Sequence, residues 1–71
     1  MNLSNAKCSE DYTVKNIITD DEELKSFLFS LGCYSGEKIT VVSQKKNSCI
    51  LSIKDARYNI DKELAKAIEV Y

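Results

Sequence analysis

Gly32 and Gly36 are the only glycines in this chain, and they stand where helical periodicity stops and strand-like periodicity begins. That junction constrains the fold most. Upstream, Leu24, Phe27, Leu28 and Leu31 recur at i, i+3, i+4 and i+7, which predicts a helix from Asp21 to Leu31 packed through those four residues. Gly32 then closes it, at the position where a backbone at positive φ satisfies the last carbonyls. Gly36 fits the third place of a type II turn, Tyr34-Ser35-Gly36-Glu37, which also needs positive φ. A helix is therefore joined to the next strand by a short, stiff connection. Phe29 falls outside the stripe, because at about 100° per residue it points away from the packed face.

The segments on either side alternate. Tyr12–Ile18 is β-branched and aromatic, a first strand expected to bend near Asn16. Thr19-Asp20-Asp21-Glu22-Glu23 offers two overlapping capping boxes, Thr19 with Glu22 or Asp20 with Glu23. After Gly36, Lys38–Ser43 places Ile39 and Val41 on one face. Gln44–Asn47 reads as a hairpin loop, and Ser48–Lys54 returns with Cys49, Leu51 and Ile53 aligned. A tight turn at Asp55-Ala56 leads to a short strand, Arg57–Ile60. Asp61 caps a short helix over Lys62–Ala67, and Ile68–Tyr71 alternates as a last strand. Hairpins this close pair antiparallel. The expected fold is mainly β: a small closed barrel of about five antiparallel strands, the last joined to the first, with one packed helix and a short helical turn. Residues 1–71 make one domain, with residues 1–10 expected to be a flexible tail.

Composition removes several function classes. A net charge of −1 gives no basic excess for phosphate neutralisation, so nucleic acid is not an expected partner. The first residues lack the pattern of a secretory signal, and no run reaches membrane-spanning length; the expected location is the cytoplasm, without membrane insertion. Three cysteines, without C-x-x-C spacing, suit reduced thiols in that compartment.

The chain has no histidine, which takes away the usual general base and the commonest metal ligand, and no catalytic residue is assigned. Cys33 and Cys49 occupy apolar places and read as core, while Cys8, in the expected tail, is a lone thiol and a poor iron ligand set. No metal ligand or cofactor residue is assigned either. Asp20-Asp21-Glu22-Glu23 complements a helix dipole, and Lys45-Lys46 is a solvated loop tip. The remaining candidates are aromatic. Phe29, off the buried stripe, and Tyr34, in the connecting loop, are the best candidates for a partner surface, with Lys25 and Ser35 beside them.

From Tyr12 to Tyr71 the pattern resembles the ferrous iron transport protein A (FeoA) family of SH3-like barrels. A helix ending L-x-x-L-G, a turn and a strand opening acidic-x-apolar-x-V are matched by Leu28, Leu31, Gly32, Gly36, Glu37, Ile39 and Val41; Arg57–Val70 follows the family's closing strand, leucine-alanine turn and I-x-V strand. Ser35 stands where the family often has proline, and Asp55-Ala56 where a hairpin glycine is common. The resemblance implies a non-enzymatic cytosolic accessory of ferrous iron uptake. Its partner would be the cytosolic domain of a GTPase-linked iron transporter, or a second copy of itself, and transition-metal binding enters only through the family. The alternative is a generic SH3-like interaction module, metal-responsive like the last domain of iron- and manganese-dependent repressors.

Overall fold

A computed structural model describes residues 1–71. A 3-10 turn at Leu3–Asn5 precedes β1 (Glu10–Ile17), α1 (Glu22–Leu31), β2 (Lys38–Gln44), β3 (Ser48–Ile53), β4 (Ala56–Asp61), α2 (Lys62–Ala67) and β5 (Ile68–Val70). The strands form one antiparallel sheet in the order β4-β3-β2-β1-β5. The last strand joins the first, as the alternation implied. The sheet is not closed by hydrogen bonds, however, because β4 and β5 do not pair; α2 connects them across the gap, burying Ala65 and Ala67.

Two register shifts curl the sheet. One lies on β1 between Val14 and Asn16, at the expected bend, and the other on β2 between Val41 and Ser43. An extra residue in one strand increases local twist, which lets a short sheet wrap around its own core. Alternate residues Cys49, Leu51 and Ile53 of β3 face inward with Val14, Ile39 and Val41, all buried.

Helix α1 begins and ends by identifiable chemistry. Neither expected capping box forms. Instead Thr19 Oγ1 accepts the Asp21 N–H at 3.1 Å, and Asp21 becomes the cap, its Oδ1 accepting from Glu23 and Leu24 at 3.0 and 3.1 Å. At the other end Gly32 lies at φ 93°, with Gly32 N–H donating to Phe29 and Cys33 N–H to Leu28. This pair of bonds is a Schellman closure, sealed by contact-forming positions Leu28 and Cys33, both buried. A Cβ on Gly32 would come within 3.2 Å of Ile53 and Lys54, so packing as well as φ selects glycine. The type II turn is as expected: Gly36 has φ 90° and Glu37 N–H donates to the Tyr34 carbonyl at 3.0 Å.

Other expectations are corrected too. Phe27, assigned to the packed face, is 49% exposed; Leu28 is fully buried while Leu24 and Leu31 are only half-buried. The barrel is small, so the contact stripe is narrow and runs out before Phe27, about 100° around the helix from Leu28. The β3–β4 turn is Lys54-Asp55, not Asp55-Ala56: Ile53 pairs with Ala56, and both turn residues have positive φ, 49° and 69°. Residues 1–10 are not a free tail. Leu3 is 0% exposed and Ala6 is buried; Gln44, expected in a loop, ends β2 and donates from Nε2 to the carbonyls of Leu3 and Ala6 at 2.8 and 2.9 Å. Asn2 bridges to Glu69, and Val70 N–H donates to the Met1 carbonyl at 2.8 Å.

Candidate functional site

Lys25, Phe29, Tyr34 and Ser35 come together. With Asn16, Ile17, Ser26 and Cys33 they line one open groove of about 330 Å³ between α1, the end of β1 and the type II turn. The convergence follows from local geometry. Lys25 and Phe29 stand four residues apart on one helix face, and the Schellman closure turns the chain back so that Tyr34 meets Phe29. Their ring centroids are 4.8 Å apart at 32°, a tilted stack, and Phe29 is still 65% exposed. Apolar area left uncovered beside a cation that forms no ion pair, Lys25, suits a partner surface.

A charged bracket holds Tyr34 in place. Lys54 Nζ lies 2.9 Å from Glu37 Oε1, donates to the Tyr34 hydroxyl at 3.2 Å and sits 5.5 Å from the Tyr34 ring centroid. The hydrogen bond to Lys54, then that to Tyr34, holds the Glu37 carboxyl below its ordinary value; the hydrogen bond to Glu37 raises Lys54 correspondingly. Lys54 and Glu37 were missed by the sequence reading. A Glu at the turn and a Lys seventeen positions later carry no local sign of pairing, which the β2–β3 register alone creates. Ser26 was legible on the helix face of Phe29, whereas Asn16 and Ile17 reach the groove only through packing between elements.

A second open groove, about 420 Å³, lies between the start of α1 and α2, lined by Asp21, Asp61, Glu63 and Lys66 beside Ile18 and Leu24, with Lys66 paired to Glu63. Asp21 and Asp61 are occupied as helix caps.

No group of three or more Cys, Asp or Glu residues gathers anywhere as a metal cluster. Burial pushes the Cys33 thiol up to about 11, and raises Cys49 against the opposing charge of Lys62, so neither offers a ready thiolate. Cys8 is exposed and alone. The residues present therefore do not fit a resident transition-metal site.

The model of the FeoA domain family matches residues 1–71. The chain belongs to the FeoA family. An iron uptake regulatory protein (FeoA) crystal structure superposes with a TM-score of 0.90 at 27% identity, over 99% of this chain and 93% of that one. Stenotrophomonas maltophilia FeoA, solved with zinc and described as a prokaryotic SH3 domain protein, gives 0.88 at 18% identity, over 100% and 89%. A manganese-dependent transcriptional repressor gives 0.89 at 19% identity, with this chain covering 40% of it; that likeness is one of fold alone. Comparison with curated protein sequences gives no significant match. The FeoA membership ties this SH3-like chain to ferrous iron transport, and no helix in it is long and apolar enough to cross a membrane.

Proposed function

We propose that this FeoA-family chain is a non-enzymatic cytoplasmic accessory of ferrous iron uptake, which docks through the Phe29–Tyr34 groove on the cytosolic domain of a GTPase-linked iron transporter. The observation that carries it is the groove itself: an exposed Phe29 stacked on a half-buried Tyr34, an unpaired lysine and a turn that Gly36 permits and the Lys54–Glu37 bracket braces. Stacked, pre-ordered aromatics lose little freedom on binding, which favours them as anchors. Iron is the transporter's cargo in this reading, and the accessory holds none of its own.

Phe29→Ser is the test. With the ring 65% exposed, the change forfeits mainly its stack on Tyr34 and lowers folding stability by about 1 kcal/mol, whereas truncating a buried phenylalanine costs on the order of 3–5 kcal/mol. Association with the transporter's cytosolic domain, followed calorimetrically, weakens at least about tenfold. Unchanged binding by a folded variant moves the partner face elsewhere. Anaerobic titration with ferrous iron gives no stoichiometric complex at low micromolar concentration; a tight complex lost on replacing Cys8 and Cys33 together would restore a thiolate site.

A further inference from the structure

The two edges of the sheet are treated differently. On β5, the outer edge is occupied: Asn2 bridges to Glu69 and the Met1 carbonyl accepts from Val70 N–H. On β4, the outer edge is bare, since β4 pairs only with β3 and no hydrogen bond outside that ladder involves Arg57, Tyr58 or Asn59. It is also regular. Six successive pairs, Ile53 with Ala56 through Ser48 with Asp61, run without the register shifts that kink β1 and β2. Of the devices that ordinarily blunt such an edge, β4 lacks a bulge, a proline and a cover, and carries only the exposed charges of Arg57 and Asp61.

The direction of the free groups follows from the turn. A two-residue loop with positive φ at both Lys54 and Asp55 is a type I′ hairpin, whose closing pair, Ile53 with Ala56, exchanges backbone hydrogen bonds. Bonded and non-bonded pairs then alternate along the ladder. Leu51–Tyr58 and Cys49–Ile60 are bonded pairs, so the N–H and C=O of Arg57 and Asn59 point away from β3. Both residues are exposed, and Arg57 forms no ion pair.

We propose that β4 pairs antiparallel with β4 of a second copy of this chain, about a two-fold axis at Asn59, joining two barrels through one continuous sheet. The occupant is set by the charge pattern. Antiparallel pairing centred on Asn59 puts Arg57 opposite the partner's Asp61, and Asp61 opposite the partner's Arg57, so the strand complements itself in charge. Asp61 Oδ1 accepts from Leu64 N–H at 2.7 Å, leaving the other carboxylate oxygen for the guanidinium. Asn59 on the axis has its backbone groups facing outward, as a bonded pair with its own copy requires. The surface lies apart from the Phe29–Tyr34 groove, none of whose lining residues belongs to β4.

Sedimentation of the whole chain from about 10 µM to about 1 mM tests this, since a strand-sized contact gives a weak, reversible dimer. Self-association is expected in that range, with the Asn59 amide gaining protection from hydrogen exchange as concentration rises. Arg57→Asp places like charges opposite each other and raises the dimer Kd at least about tenfold. Asn59→Pro removes an outward N–H that the β3–β4 ladder does not use and abolishes association. Asp61→Arg also fails to self-associate, yet forms a mixed dimer with Arg57→Asp, because every cross-strand pair is again of opposite charge. Circular dichroism checks that each variant is folded, and the mixed dimer guards against the loss of the α2 cap in Asp61→Arg. A chain monomeric at about 1 mM, a dimer indifferent to Arg57→Asp and Asn59→Pro, or folded complementary variants that fail to pair would each overturn the proposal.

Discussion

Cys33 has two roles, one for its backbone and one for its side chain. Its N–H completes the helix closure and its thiol is sealed between α1 and the barrel, where burial holds it protonated up to about 11. Because the folded-state value is raised, the thiol's contribution to stability is intact below 9.0, the ordinary value, and is lost as pH climbs from there through about 11. At pH 10 the unfolded chain ionises and the folded chain does not, which costs about 1 kcal/mol relative to pH 8. Urea unfolding of the native chain and of Cys33→Ala at the two pH values checks this: the variant is less stable throughout but lacks that part of the alkaline slope. Equal slopes would mean that the thiol is not protected. Cys33 and Cys49 were legible as core from their apolar neighbours, but the depth of their burial was not, since it depends on which strand each faces. Phe29 and Phe27 make the same point. Periodicity put Phe29 outside the packed stripe correctly, and put Phe27 inside it wrongly, because the width of the partner surface is not written in the helix.

At the scale of elements, the β3–β4 hairpin holds two non-glycine residues at positive φ, a conformation that disfavours a Cβ. Asp55, at φ 69°, gains nothing from that strain, as its side chain makes no hydrogen bond or ion pair. Lys54 is different, because the turn aims its amine at Glu37 and Tyr34. Asp55→Gly is therefore expected to stabilise the fold by about 0.5–1 kcal/mol, measured by denaturant unfolding, without moving the Tyr34 ring resonances. A destabilised protein would show that the Asp55 side chain supports the turn. The turn was placed one residue late in the sequence because Lys54 reads as the end of an alternating strand and no glycine marks positive φ. Strands, both helices and the Gly32–Gly36 junction were legible because each is set by neighbours within a few positions. The groove was legible by its α1 and turn residues for the same reason, and illegible at Asn16, Ile17, Glu37 and Lys54, which need the folded register.

At the scale of the molecule, the first six residues act as a missing strand and a plug. Leu3 is wholly buried, Gln44 and Lys62 reach the carbonyls of Leu3, Ala6 and Ser4, and Met1-Asn2 cover the edge of β5. None of this could be read locally: a lone leucine and alanine three positions apart have no periodicity, and their partners lie some forty to seventy residues away. A domain of this length holds roughly 3–5 kcal/mol in its core, and truncating a buried leucine costs about 2–5 kcal/mol. Leu3→Ala should thus use up most of the stability, and a chain beginning at Lys7 should be largely unfolded at 25 °C by circular dichroism. The truncation also leaves Val70 N–H and the Gln44 amide without their partners and uncovers the β5 edge. Whatever fraction remains folded then carries two bare edges, β4 and β5, instead of one. Pairing through one self-complementary edge stops at a dimer, whereas two edges allow open-ended addition, so the truncated chain should form large aggregates by light scattering where the full chain does not. A truncated chain as stable and as discrete as the full one would return residues 1–6 to the status of a tail.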